Sequence, residues 1–316
     1  MNDPLDWENA EVTWKRHAEQ VVAQSWPPAC LYVVATPIGN LADMSLRAWQ
    51  ALRGCDAVAA EDTRTTRTLL DAWGIRTPLL AAHRHNEQQA ADAIVQRLAE
   101  GQRVALVSDA GAPAVSDPGA RIVRCVRAAG YRVVPLPGPS AVVAALMASG
   151  ATSDDAPGFA FAGFLPSKPA ARRKWLAQWL AWPVPVVFFE TPHRLGAALD
   201  DLVQVGGPDR LLTLARELTK RFEEICTLPV AEVRDWLGAD AHRGQGEFVL
   251  VMHAPPPRNA LDEALSAEQE RLMTALLAEL SVRDAVRIGV RATGLPRDQL
   301  YDWALARNRD EQAADS

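Results

Sequence analysis

The chain has 316 residues, 48% of them hydrophobic and 23% charged, a balance that suits a folded globular enzyme with room for two domains. Its net charge of −6 excludes a protein that coats nucleic acid over its whole surface, but leaves room for local basic patches. No apolar run approaches the roughly 18–20 residues of a membrane span, and the first twenty residues are too polar and acidic for a secretory leader. Cys30, Cys55, Cys125 and Cys226 are scattered without a CxxC pair, which predicts reduced thiols in a cytoplasmic protein.

Residues 1–29 carry no strand pattern and read as a mobile extension with a helical turn or two. LYVVAT (31–36) is the first apolar run, and SLRAWQALRGC (45–55) has helical spacing through Leu46, Trp49 and Leu52. DAVAAED (56–62) and TPLLAAH (77–83) are further strands, and EQQAADAIVQRLAEG (87–101) is an amphipathic helix stopped by Gly101. RVALVSD (103–109), a helix over 120–130, YRVVPLPG (131–138) and a small-residue helix after Ser140 follow. Continuous apolar strands alternating with helices predict a mostly parallel sheet covered on both faces. ATSDDAPG (151–158) reads as a linker. Beyond it, strands over 159–164, 184–190, 210–218, 221–228 and 247–253, with helices near 169–182 and 192–205, predict a second, mixed sheet. The expected division is therefore an extension over 1–29, α/β domains over 30–152 and 153–257, and a helical tail over 258–316.

Ligands of open parallel sheets bind beyond the carboxyl ends of the strands. Five segments follow strands there: TPIGN (36–40), EDTR (61–64), HRHN (83–86), SDAGAPAVSDPG (108–119) and PLPGPS (135–140). Neither GxGxxG after the first strand nor GxxxxGK[ST] is present, so dinucleotide and P-loop readings lose their main support. Glu61, Asp62, Asp109 and Asp117 suggest a divalent metal, but Asp109 and Asp117 flank Gly and Pro as turn-forming acids do, and no metal is expected. Gly111, Ala112 and Gly119 allow close approach of backbone to a ligand, and Pro113 and Pro118 fix the loop in advance.

In order, TPIGNLADMSLRA (36–48), AAEDTR (59–64), HRHNE (83–87), ALVSDAGAP (105–113), SDPG (116–119), VVPLPGPSA (133–141), GFLP (163–166), ETPHR (190–194), ARELTK (215–220) and GEFVLV (246–251) carry a resemblance. Over about residues 31–253 the chain resembles the tetrapyrrole methylase superfamily, the class III S-adenosylmethionine-dependent methyltransferases. Within it, the chain resembles the ribosomal RNA small-subunit methyltransferase I family. It departs from that pattern at Ala112, where Thr is usual, at Thr191, where Ser is usual, and at Arg84, where an acid is common.

The resemblance implies the tetrapyrrole methylase fold: two α/β domains with the cofactor cleft between them, plus a helix-turn-helix-like tail. It implies S-adenosylmethionine as cofactor, a homodimer, and 2′-O-methylation of a cytidine in the decoding region of 16S ribosomal RNA. The cofactor would meet Pro37, Gly39, Asp109, Gly111, Ala112, Ser116, Asp117, Gly119 and Ser140, the last at a helix start suited to a carboxylate. Glu61, Asp62, His85 and Glu190 are the candidate bases, and the residues do not choose among them. Arg64, Arg67, Arg194 and Lys220 are candidate phosphate contacts.

SVRDAVRIGVRATGLPRDQLYDWALARN (281–308) reads as helix, tight turn and helix, with Arg283, Arg287 and Arg291 on one helical face. Between positions 283 and 309 six Arg stand against three Asp, a local charge of +3 that suits a phosphate backbone. Two other readings stay open: methylation of a small tetrapyrrole or corrinoid on the same fold, and an RNA-binding assembly factor without catalytic function.

Overall fold

The computed structural model describes residues 7–255 and 265–314. The chain divides into two compact units, one up to residue 254 and one from 255 onward. The expected domain boundary at 257–258 lies outside the described residues.

The first unit opens with α1 (Trp7–Val22), sixteen residues where the sequence suggested a turn or two, packed against α2 (Leu46–Gly54). β1 (Cys30–Val34), β2 (Ala57–Ala60), β3 (Leu79–Ala81), β4 (Val104–Val107) and β5 (Arg132–Leu136) form an all-parallel sheet in the order β3-β2-β4-β1-β5. The interior strands β2 and β4 are buried at every position, as continuous apolar runs require when helices cover both faces. α2 and α3 (Thr63–Ala72) pack one face through Ala48, Leu52 and Leu70. α4 (Glu87–Ala99) and α5 (Ala120–Ala128) pack the other through Ile94, Leu98, Ile122 and Val126. The chain thus leaves β1 toward one face and its neighbour β4 toward the other. That divergence is a topological switch point, where the two loops splay and open a crevice. A two-hydrogen-bond bridge spans the crevice floor, Thr36 N–H to Gly111 O at 2.9 Å and Gly111 N–H to Thr36 O at 3.0 Å.

The second sheet comprises β6 (Ala160–Phe164), β7 (Val186–Glu190), β8 (Leu211–Arg216), β9 (Glu224–Pro229) and β10 (Phe248–Met252), ordered β6-β7-β10-β8-β9. Only β6 and β7 are parallel; β10 runs antiparallel to β7 and β8, and β8 to β9, so the sheet is mixed as expected. α7 (Pro169–Leu180), α8 (Pro192–Gly206) and α9 (Val233–Gly238) cover one face. The other face is covered by α6 (Ala141–Ser149), although α6 follows β5 in the chain. Val142 and Ala145 of α6 share a core with Val187, Ala215 and Val249, and Ile38 of the first half packs against it. The linker near residue 152 therefore follows the crossover: α6, read as the end of the first domain, packs on the second sheet.

In the second unit α10 (Ala267–Glu279), α11 (Val282–Thr293) and α12 (Arg297–Ala314) pack around Met273, Val286, Leu300 and Ala304. Gly294, left-handed at φ 71°, ends α11 and turns the chain into α12, the helix-turn-helix form read from the sequence.

Candidate functional site

A cavity of about 420 Å³ opens at the switch point, walled on one side by loops of the first sheet and on the other by the ends of the second. From the first side come Ile38, Glu61, Asp109, Gly111, Ala112, Val115 and Asp117, with Ser140 and Val142 at the start of α6. The second side adds Phe164, Phe189, Glu190, Thr191, Ala215, Leu218 and Val249. Its walls are mostly hydrocarbon and aromatic, with Glu61, Asp109 and Asp117 neighbours on the first side, the pattern expected of a site that grips a flat apolar group and does polar chemistry beside it.

Backbone conformation explains the small residues of the 108–119 loop. Gly111 sits at φ 78° with Ile38 only 3.3 Å from where a Cβ would stand, so a side chain there would be strained and would narrow the crevice floor. Ser140 precedes α6 in extended conformation and makes no side-chain capping bond, which leaves its hydroxyl for a ligand at the helix start. Ser108, buried at the end of β4, turns its hydroxyl toward the carbonyl of Ala110, at 3.3 Å.

The four candidate bases separate on geometry. Glu61 lines the cavity; burial, and then the neighbouring Asp117 and Asp109, push its pKa above the ordinary carboxylate value. Asp117, also in the wall, is raised mainly by burial. Asp62 instead caps α3, accepting from the Arg64 backbone N–H at 2.8 Å and its guanidinium at 3.0 Å. The Arg64 side chain holds the Asp62 carboxyl down at about 2, too weak a base for an alcohol. Glu190 has a fully buried side chain, ion-paired to Arg194 at 3.1 Å, and accepts the Thr191 N–H at 2.7 Å. Its charge is committed to holding the β7–α8 turn. His85 is exposed, edge-on to His83 with ring centroids 6.0 Å apart, and does not line the cavity.

The remaining expected site residues fall into two groups. Asp109, Gly111, Ala112, Asp117 and Ser140 line the cavity; Pro37, Gly39, Ser116 and Gly119 do not. Asp109 accepts the Asp62 N–H at 2.9 Å, tying two rim loops together. Gly39 lies beneath the Lys220 stem, whose Cγ would be 2.5 Å from a Cβ. Gly119 donates its N–H to Glu87 at 2.8 Å and packs on Leu106, and Ser116 adopts φ 68° on the exposed side of the loop.

Among the basic residues, Lys220 is ion-paired to Glu217 at 2.9 Å and Glu247 at 3.0 Å, and Arg67 donates to the Thr77 carbonyl at 2.8 Å. Arg194 also donates to the Leu165 carbonyl. Arg64 is exposed and ion-paired to Asp62 at 3.0 Å, one residue from the cavity's Glu61. Arg283, Arg287 and Arg291 are exposed on α11, with Arg287 paired to Asp284 at 2.9 Å.

The wall residues of the second sheet, above all Phe164, Phe189, Leu218 and Val249, were not singled out in the sequence. One signal was available: GFLP places a glycine before Phe164. Gly163 sits at φ 73° where the β6–β7 register shifts, and such a bulge re-aims the next side chain. Phe164, exposed, meets Phe189 edge-on at 5.3 Å.

Comparison with known proteins agrees with this geometry. Residues 30–234 match the family of Tetrapyrrole (Corrin/Porphyrin) Methylases, and residues 263–308 match the RsmI C-terminal HTH domain. A cobalt precorrin-4 methyltransferase, CbiF, superposes with TM-score 0.52 at 16% identity, covering 71% of this chain and 95% of that one. A diphthine synthase gives TM-score 0.54 at 16% identity over 71% of this chain and 90% of that one. These likenesses establish the fold. "Ribosomal RNA small subunit methyltransferase I" of Neisseria meningitidis serogroup B is 48% identical over 87% of this chain and 93% of its own length. The protein of the same description from Escherichia coli O157:H7 is 46% identical over 87% and 94%. With that identity along nearly the whole of both relatives, and with the methylase and C-terminal matches in the same order, the chain belongs to the ribosomal RNA small subunit methyltransferase I family.

Proposed function

We propose that this protein methylates the 2′-hydroxyl of a cytidine in the decoding region of 16S ribosomal RNA, in the cytoplasm, with S-adenosylmethionine as donor. The observation that carries the reading is one cavity holding both an apolar slot and a carboxylate of raised pKa, in a chain of this family. The donor supplies a methyl group already activated by a positively charged sulfur.

The residues present suit that donor. Ile38, Ala141, Leu218 and Val249 offer an apolar slot for a nucleobase, the Gly111 backbone leaves space where a Cβ would intrude, and the Ser140 hydroxyl stands ready for a carboxylate. Glu61 is the base: it would accept the ribose hydroxyl proton as that oxygen displaces the methyl group, the carbon–sulfur bond of the donor breaking to release neutral S-adenosylhomocysteine. Its raised pKa brings it closer to the working pH, which favours proton abstraction from a weak acid. The aligned walls contribute by holding the hydroxyl in line with the methyl. Asp62 and Glu190 keep the rim in shape, and Asp109 ties the two acidic loops. Arg283, Arg287, Arg291 and Arg64 hold RNA phosphates, while Arg67, Arg194 and Lys220 serve the protein's own packing. A second copy would cover Val143 and Met147, which share one face of α6 and stand exposed, Met147 at 82%.

The tetrapyrrole reading draws support from the structural neighbours' names, but the basic stripe on α11 has no use in it. The inactive-factor reading has no use for an open cavity with a perturbed carboxylate. Transfer of labelled methyl to small subunits from a strain lacking this enzyme tests all three. Label in 16S RNA is the expected result; label only on a tetrapyrrole, or none despite donor binding, would overturn the proposal.

A further inference from the structure

A second hollow, of about 340 Å³, lies away from the methyl-transfer cavity, beside the edge strand β5. Its walls are Gln24, Ser25, Trp26 and Pro27 from the α1–β1 connection, together with Tyr32, Arg47, Arg132 and Val134. The match to the methylase family begins at residue 30, so half the wall lies outside it.

Four observations point to one kind of ligand. First, the Arg47 and Arg132 guanidiniums make no ion pair or hydrogen bond among the described residues, and no carboxylate lines the hollow, in a chain with 39 acidic residues to 33 basic ones. Second, Arg47 occupies the first turn of α2, where the helix end is already positive; a cation there is unfavourable unless an anion joins it. Third, the Gln24 and Ser25 side chains add polar groups that likewise lack protein partners among the described residues.

Fourth, the hollow is built, not incidental to a loose loop. Tyr32 Oη donates to the Pro27 carbonyl at 2.9 Å, Arg103 Nε to the Trp26 carbonyl at 3.0 Å, and Trp26 Nε1 to the Val21 carbonyl at 3.0 Å. These bonds fix the connection from both sides and use up the polar ends of Trp26 and Tyr32; Tyr32 is buried, so the flat apolar surface open to a ligand is the half-buried Trp26 ring. Two free guanidiniums with flat aromatic surface beside them match a phosphate ester carrying a base.

We propose that this hollow is a nucleotide phosphate site, and that its ligand is a stretch of the RNA backbone distant from the methylated residue. That the ligand is RNA rests on the function proposed above; the site as a binder of nucleotide phosphate does not, because its binding is measured without methyl transfer.

The test is the full-length R47A/R132A variant, assayed with a single-stranded 16S RNA fragment across a salt series, with cytidine monophosphate, and with S-adenosylhomocysteine. Both arginines are exposed, so the variant should melt like the wild type. Counterion release scales at about 0.7 per single-strand phosphate, so losing two contacts lowers the salt slope by about 1.4 and weakens binding about 25-fold at 0.1 M salt. Unchanged S-adenosylhomocysteine affinity with that loss supports the proposal with RNA as the source. Loss of cytidine monophosphate binding alone, with RNA affinity intact, supports the phosphate site and assigns it to a free nucleotide. If neither ligand distinguishes variant from wild type, or if S-adenosylhomocysteine affinity falls in parallel, the proposal is overturned. Absence of methyl transfer by the wild type would instead count against the enzyme reading and leave these titrations informative.

Discussion

Replacing Arg194 by Ala probes whether Glu190 is a structural charge or the base. Glu190 has no exposed side-chain surface, and Arg194 is 25% exposed with its guanidinium 3.1 Å away. Breaking a buried pair from one side costs about 3–5 kcal/mol, because the remaining charge is stranded. The partial exposure of Arg194 lets water reach the carboxylate, which places the cost near the lower end, about 3 kcal/mol. For a unit of this size each kcal/mol moves the melting temperature by about 2–4 °C, so the expected fall is about 6–12 °C. Replacing both partners with Leu and Met should recover most of it, since an apolar pair of similar volume is often neutral. Glu190→Gln keeps the shape and the contact to the Thr191 N–H; methyl transfer should stay within about tenfold of wild type, whereas loss of a general base costs about 10²–10⁴. Calorimetry and labelled-methyl transfer on the same preparations check both parts. A Glu190→Gln enzyme that melts normally, binds S-adenosylhomocysteine normally and has lost a hundredfold or more in rate would refute the assignment.

Glu61→Gln should lower the rate by about 10²–10⁴ while sparing S-adenosylhomocysteine affinity, measured by single-turnover transfer and calorimetric titration. Because the base must be ionised and burial raises its pKa, kcat/KM should fall with decreasing pH beginning above the usual carboxylate range. That acidic limb should be absent from the residual activity of Glu61→Gln. Gly111→Val should weaken S-adenosylhomocysteine binding more than tenfold and destabilise by about 1–3 kcal/mol, because φ 78° strains a β-branched residue and Ile38 stands in its way. Asp109→Ala should free the Asp62 N–H and weaken cofactor binding, and unchanged affinity would remove Asp109 from the site. Removing residues 259–316 should weaken RNA binding and flatten its salt dependence while leaving cofactor affinity intact.

What the sequence disclosed follows from what local patterns can encode. The strands of the first sheet were legible because burial on both faces leaves uninterrupted apolar runs such as VALV at 104–107. α3 was missed because only Leu69, Leu70 and Ala72 of TRTTRTLLDA are apolar, and one of the two positions it buries is the polar Thr66. α6 was seen as a helix but placed with the wrong sheet: AVVAALMAS is apolar all round, and nothing in it says which face it covers. The first wall of the site was readable because Gly, Pro and acidic residues crowd loops at strand ends. The second wall was not, because Phe189 and Val249 look like any strand core until two sheets are set edge to rim. Among the bases, residue type alone ranked Asp62 and Glu190 level with Glu61. Only the partners, Arg64 on one and Arg194 on the other, set them apart.

The most direct measurement is the chemical identity of the methylated product. Small subunits from a strain lacking the enzyme would be incubated with it and methyl-labelled S-adenosylmethionine, and the RNA hydrolysed in alkali. Alkaline cleavage needs a free 2′-hydroxyl, so ribose methylation leaves the label in an alkali-resistant dinucleotide whose 5′ residue is cytidine. Label recovered instead in single nucleotides, on the base, would contradict the account.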